Sequence, residues 1–207
     1  MTSSAKFWDK IADKYSKQPV SDEAAYQKKL QITRDYLRPD MEMIEIGCGT
    51  GSTAIAHAPF VKLIHAIDIS SKMIEIAKSK AAAEKITNIT FEQSTIDDLS
   101  APEQTIDIVL ALSVLHLVES KEDVIAKIHN MLKPGGIFIS STACLGDKMG
   151  FFKLLAPIGK FLGFLPLLKV FTKKDLLDSV AKAGFLIEHQ WHPEKAIAVF
   201  VVAKKPE

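Results

Sequence analysis

"MIEIGCGTGSTA", Met43 to Ala54, packs three glycines into five positions directly after an apolar run that carries one acidic residue, Glu45. A short apolar run closed by glycines and followed by helix formers reads as a buried strand, a tight turn and a helix start. Glycine accepts positive φ and lets a backbone approach a ligand closely. Gly47, Gly49 and Gly51 therefore offer backbone N–H groups to something lying flat against the turn. Taken alone, such a turn fits a dinucleotide, a mononucleotide or no ligand at all.

Outward from this turn the periodicity alternates. Residues 4–17 and 22–37 read as helices, with Pro39 closing the second. Candidate strands follow at 41–46, 61–68, 89–93, 106–113 and 136–143, separated by helical patterns at 52–58, 71–85 and 121–132. "KPGG" (133–136) ends the last of these helices. A helix over 173–183 stops at Gly184, and two strands, 185–191 and 196–204, are joined by a turn around Pro193. This order predicts an α/β, Rossmann-like doubly wound sheet of seven strands, mostly parallel with one antiparallel C-terminal strand, and helices on both faces. Ligands of such sheets sit beyond the carboxyl ends of the strands. The residues after the first strand and after Ile106–Ser113 are thus the ones to inspect.

Asp68 ends the second strand, nineteen positions beyond Gly49. A carboxylate there can accept hydrogen bonds from both hydroxyls of a ribose. The competing role is a helix cap, which Ser70 suits better by position. Spacing then separates cofactors. The dinucleotide fingerprint is G-x-G-x-x-G/A, whereas here the third glycine comes one position early and no arginine follows Asp68 for a 2′-phosphate. "EIGCGTG" with "AIDIS" resembles the class I methyltransferases that use S-adenosylmethionine. "FEQSTIDDL", "IDIVLALSVLHLV", "MLKPGGIFI" and "FTKKDLLDSVAKAGF" continue that resemblance over about residues 5–205.

The resemblance implies a site, residue by residue. Gly47, Cys48, Gly49 and Gly51 would pack on the methionine and ribose portion of the cofactor, and Glu45 would orient the loop or the methionine ammonium. Asp68 would hold the ribose hydroxyls. Ile69 and Met73 would neighbour the adenine, Met73 with an equal claim to helix core. Thr95 and Ile96 stand where an acidic side chain and a backbone N–H usually read the adenine, so one adenine contact departs from the pattern. Leu112 and Ser113 would lie beside the methionine moiety. Tyr15, in "IADKYSK", would close over the cofactor or pack its helix onto the domain.

Methyl transfer from a sulfonium is an in-line displacement in which the protein mainly aligns the partners. A base is needed only where the acceptor must lose a proton. His116, in "SVLHLV", is the candidate base, against a structural role capping its loop. The proline-and-aromatic tetrapeptide of nucleic-acid amino-methylating enzymes is replaced by "LSVL", which points away from nucleic acid and towards a small-molecule or lipid-like acceptor. His189 and His192 lack further ligand partners, so no metal is expected. Two other readings stay open at this point: an NAD(P)-dependent oxidoreductase, and a non-catalytic cofactor-binding interaction module.

Composition frames this as an ordinary globular chain. Of 207 residues, 47% are hydrophobic and 25% charged, enough for a sizeable core. A net charge of +1 makes no global case for nucleic acid. Two cysteines, no apolar leader and no long uncharged apolar stretch suggest a cytoplasmic setting. The length suits a single domain over 1–207, which the resemblance makes a methyltransferase domain with residues 1–40 as a helical cap. One segment is distinctive: 147–175 is strongly apolar, and from Lys148 to Lys174 it holds six lysines and no acidic residue. It reads as a lid, as a lid that lines an acceptor pocket, or as a peripheral membrane contact through 148–174. Oligomeric state is not legible in the sequence.

Overall fold

The computed structural model describes residues 3–148, 165–192 and 197–207. The chain divides into two compact units, Met1–Leu99 and Ser100–Glu207. Seven strands make a mixed sheet that is parallel but for the last strand in the chain, as the alternation predicts.

The first unit holds helices α1 (Ser3–Ser16), α2 (Glu23–Arg34), α3 (Ser52–His57) and α4 (Ser71–Ala83). Its strands β1 (Glu42–Ile46), β2 (Leu63–Asp68) and β3 (Ile89–Gln93) run parallel in the order β3-β2-β1. Strands buried on both faces need near-continuous apolar side chains, which is why Met43, Ile44, Ile46, Ile64, Ala66 and Ile67 read as runs rather than alternations. Met73, Ile74, Ala77 and Ala81 form the buried stripe of α4. Ser70 caps that helix by accepting from the Met73 N–H, and Asp22 caps α2 by accepting from Ala25. Pro59 ends α3 as expected and sits in a 3₁₀ turn, Ala58–Phe60.

The second unit holds α5 (Lys121–Met131), α6 (Lys173–Lys182) and strands β4 (Ile106–Leu112), β5 (Leu132–Ala143), β6 (Leu186–Trp191) and β7 (Ala198–Lys204). Their order is β4-β5-β7-β6, with β4 parallel to β5 and β7 antiparallel to both neighbours. β5 begins at Leu132, four residues before the expected start at Gly136. Leu132 pairs with Ile106, and the register then jumps so that Ile108 faces Ile137. The "KPGG" stretch is thus an irregularity inside strand pairing as well as a helix stop. Lys205 Nζ donates to the His129 and Leu132 carbonyls, satisfying the C-terminal end of α5. The turn around Pro193 and most of the lysine-rich segment lie outside the described residues.

Candidate functional site

Three consecutive odd positions of the glycine turn take positive φ: Gly47 (67°), Gly49 (53°) and Gly51 (77°). Two of them serve different ends. A Cβ on Gly51 would stand 2.8 Å from the Ala77 Cβ and 3.0 Å from the Phe91 ring, so this glycine is required by packing against α4 and β3. Among the described residues, a Cβ on Gly49 would meet nothing within 4 Å. Gly49 therefore leaves room on the turn, the cradle that a ligand lying there requires. Cys48 N–H donates to the Ile67 carbonyl at 2.9 Å and ties the turn to β2. The Cys48 thiol is buried, and burial, with Glu45 and Asp68 nearby, holds its pKa far above the usual thiol range. It acts as an apolar wall.

Asp68 is fixed at two points. Its Oδ2 accepts from the Gly49 N–H at 2.9 Å, and its Oδ1 from the Ser70 N–H at 2.9 Å. Each carboxylate oxygen keeps accepting capacity for one more donor. Burial pushes the Asp68 pKa up, the two N–H groups pull it back, and the Asp9 charge adds to the rise. The cap that Asp68 competed for belongs to Ser70, whose Oγ accepts from Met73 N–H at 3.1 Å.

Glu45 is 2% exposed, in the middle of a buried strand. Burial, then repulsion from Asp68, raises its pKa to about 8, against the opposing Ala54 N–H. Its Oε2 has no partner among the described residues. A buried carboxylate oxygen without a donor is expensive, and an ammonium placed against it would relieve that cost. The residues present thus fit the zwitterionic amino-acid tail as well as the ribose.

The remaining predicted residues divide between the units. Ile69 follows β2, and its carbonyl accepts from Gln93 Nε2 at 3.2 Å. Met73 is buried in the α4 core. The Thr95 hydroxyl donates to Asp98 Oδ2 at 2.7 Å and accepts from Asp98 N–H at 3.1 Å, so it is committed to a local turn. Ile96 is buried. Tyr15 is 48% exposed and meets Trp8 edge-on at 6.3 Å. With the turn residues, Glu45 and Asp68, all of these belong to the first unit.

Leu112, Ser113 and His116 belong to the second. Ser113 takes φ 62°, unusual for a residue with a Cβ, and its N–H donates to the Ser141 carbonyl at 2.6 Å. His116 Nδ1 is buried without a partner among the described residues, and burial lowers the imidazole pKa to about 4. The His116 carbonyl accepts from Lys169 N–H at 2.8 Å, which pins the end of the lysine-rich segment to this loop. Next to Leu115 lies a cavity of about 320 Å³ lined by four apolar side chains, Leu115, Leu168, Val170 and Phe171, and four charged ones, Glu119, Lys121, Glu122 and Lys169. Lys169 pairs with Glu119 at 2.8 Å, and Lys121 stands over the Phe171 ring at 4.8 Å.

Sequence reading passed over Asp9 and Lys80. Asp9 reaches the first turn of α4, and Lys80 Nζ donates to Thr50 Oγ1 at 3.0 Å and Ser52 Oγ at 3.2 Å, bracing the far end of the glycine turn. Neither carries a local motif, since both contacts join positions distant in the chain. Among the described residues, no three His, Cys, Asp or Glu side chains are grouped to hold a metal, and no helix is long and apolar enough to cross a membrane.

Comparison with known proteins gives the family of the chain. The profile of a family described as "Methyltransferase domain" matches residues 37–190. The chain is 28% identical over 110 residues to an uncharacterized methyltransferase, YcgJ, of Bacillus subtilis, covering 53% of this chain and 44% of that protein. It is 32% identical over 140 residues to the malonyl-[acyl-carrier protein] O-methyltransferase of Priestia megaterium (67% and 47% covered). It is 29% identical over 180 residues to the demethylmenaquinone methyltransferase of Symbiobacterium thermophilum (82% and 69% covered). The chain thus spans about half the length of the first two of these relatives. The crystal structure of YcgJ superposes with a TM-score of 0.72 at 15% identity, covering 87% of this chain and 99% of that one, a likeness of fold. With a family profile that matches well over half of its length, the chain belongs to the methyltransferase domain family.

Proposed function

We propose that this protein transfers a methyl group from S-adenosylmethionine to a small, partly apolar acceptor. The observation that carries the reading is the pairing of Gly49, whose Cβ direction is open, with Asp68, locked by two backbone N–H groups yet still able to accept from a ribose diol. Bound here, the cofactor would supply an electrophilic methyl on a sulfonium, so the chain's own work is holding and aligning.

In this reading Asp68 takes the ribose hydroxyls, and Gly47, Cys48, Gly49 and Gly51 form the seat beneath. Glu45 faces the amino-acid ammonium with its unpaired Oε2. Ile69, Met73 and Ile96 supply apolar surroundings for the adenine. Thr95 contributes through its backbone, since its hydroxyl is already committed to Asp98. Tyr15, Leu112 and Ser113 complete the set. His116 is the candidate base: neutral at pH 7 and with Nδ1 unpaired, it can accept a proton, though a conjugate acid near 4 suits an acceptor that is itself fairly acidic. The four apolar side chains of the cavity near it, set among four charged ones, support an acceptor with an apolar portion. The relatives named for demethylmenaquinone and for malonyl-[acyl-carrier protein] are compatible with such acceptors.

Isothermal titration of the purified protein with S-adenosylmethionine and with NAD tests the cofactor. Saturable binding of the first alone is expected, and binding of NAD alone would overturn the reading. Release of S-adenosylhomocysteine in the presence of quinol, acyl and phenolic acceptors then tests transfer.

A further inference from the structure

α1 buries Ala5 and Ala12 fully and Phe7, Trp8 and Ile11 in part. A polar contact adds to this. Asp9, in the middle of α1, directs one oxygen, Oδ1, at the start of α4, where it accepts from Ser70 Oγ at 2.7 Å, from Lys72 N–H at 3.1 Å and from Ser71 Oγ at 3.4 Å. A carboxylate at a helix N-terminus also meets the positive pole of the helix.

Ser70 is the node. It is fully buried, its N–H donates to Asp68 Oδ1, and its Oγ accepts from Met73 N–H while donating to Asp9. A serine hydroxyl has a single proton to give, and here Asp9 takes it. Asp68 in turn accepts from Gly49 N–H. A continuous run of hydrogen bonds therefore joins α1, through Asp9, Ser70 and Asp68, to the glycine turn.

We infer that Asp9 is a positioning residue: it latches α1 onto the first turn of α4 and, through Ser70, fixes Asp68 for the ribose, so that docking of α1 and binding of the cofactor are coupled. The inference rests on the adenosyl-cofactor reading given above. Asp9 itself touches no reacting atom. Nor is its effect a matter of field, because its charge opposes ionisation of Asp68. All three donors converge on one oxygen, so an amide at position 9 can accept the same bonds without the charge.

The test compares wild type, Asp9→Ala and Asp9→Asn by calorimetry with S-adenosylmethionine and by hydrogen exchange of the α1 amides without ligand, with Asp68→Ala as the reference for a lost ribose contact. Asp9→Ala should weaken binding by about 10-fold, the loss of one charge-assisted hydrogen-bond network, and should speed exchange in α1. Asp9→Asn, whose amide oxygen preserves the acceptor without the charge, should fall between wild type and Asp9→Ala on both measures. Three results overturn the inference: unchanged α1 exchange in Asp9→Ala, faster exchange with unchanged affinity, or equal losses in Asp9→Asn and Asp9→Ala. Should Asp9→Ala fail to fold, Asp9→Glu, which displaces the carboxylate by one methylene, is read in its place. If the wild type binds no S-adenosylmethionine, the cofactor reading and the coupling fall together, while α1 exchange in Asp9→Ala still decides whether the latch exists.

Discussion

Two glycines two positions apart make opposite demands. Gly49→Ala adds a methyl where no described residue stands within 4 Å, so its folding cost is that of the left-handed φ, about 1–2 kcal/mol, while the methyl intrudes on the proposed ligand space. Gly51→Ala pays the same backbone strain and also collides with Ala77 and Phe91. Thermal melts and cofactor titration should therefore dissociate: Gly49→Ala folds and binds poorly, whereas Gly51→Ala melts early. Equal melting temperatures would refute the assignment of Gly51 to packing. Glu45 carries a second prediction. In the free protein its pKa of about 8 keeps it protonated at pH 7. The unfolded chain loses that proton in the ordinary carboxylate range and the folded chain only near 8, so this group's contribution to stability falls as pH rises through that window. Pairing with an ammonium would ionise it, so binding at pH 7 should release close to one proton, and affinity should rise with pH up to about 8. Calorimetry in buffers of different ionisation enthalpy reads the release. Persistence of that release in Glu45→Gln would show the proton comes from elsewhere. At this scale the glycine turn and Asp68 were legible because a turn and its following strand form a local pattern. Asp9 and Lys80 were hidden because their partners lie in other elements.

Elements were read where burial and capping are local. β1, β2 and β4 stand out as largely apolar stretches, interrupted only by Glu45, His65 and Asp107 inside them, because parallel strands are mostly covered on both faces. The start of β5 was missed because Leu132 is held in the sheet by Ile106 of another strand, a register that "KPGG" does not announce. α6 shows the opposite case, with its start written in four residues. Thr172 Oγ accepts from the Asp175 N–H at 3.1 Å, and the Asp175 carboxylate accepts from the Thr172 N–H at 2.9 Å, a complete capping box. A second tie comes from Lys173 N–H, which donates to Asp147 at 2.8 Å and anchors the helix start to the 3₁₀ turn Leu145–Asp147 that follows β5. Thr172→Ala should cost about 1 kcal/mol, read as a lower denaturant midpoint at unchanged slope. Thr172→Ser, which keeps the hydroxyl, should recover most of it. Equal midpoints for the two variants would assign the loss to the threonine methyl instead.

For the whole chain, the informative contrast is between its two units. Eleven of the thirteen proposed cofactor residues belong to Met1–Leu99, while Leu112 and Ser113 belong to Ser100–Glu207. A ligand that binds only the native state stabilises whatever it touches, by about 2.7 kcal/mol at a hundredfold excess over its Kd. For a chain of this size that raises the melting temperature by roughly 5–10 °C. Hydrogen exchange reads each unit by itself. Hydrogen exchange with saturating S-adenosylmethionine should slow at 47–51 and 68–73, and also around Ser113, whose strained φ of 62° makes its amide a sensitive reporter of local opening. NAD at the same concentration should slow neither. Protection of the first unit alone would mean that Leu112 and Ser113 were wrongly assigned to the methionine moiety, and that the loop carrying His116 answers to the acceptor rather than to the donor. Exchange around Leu115 and Phe171, which line the cavity beside that loop, should respond when an apolar acceptor is added and not before.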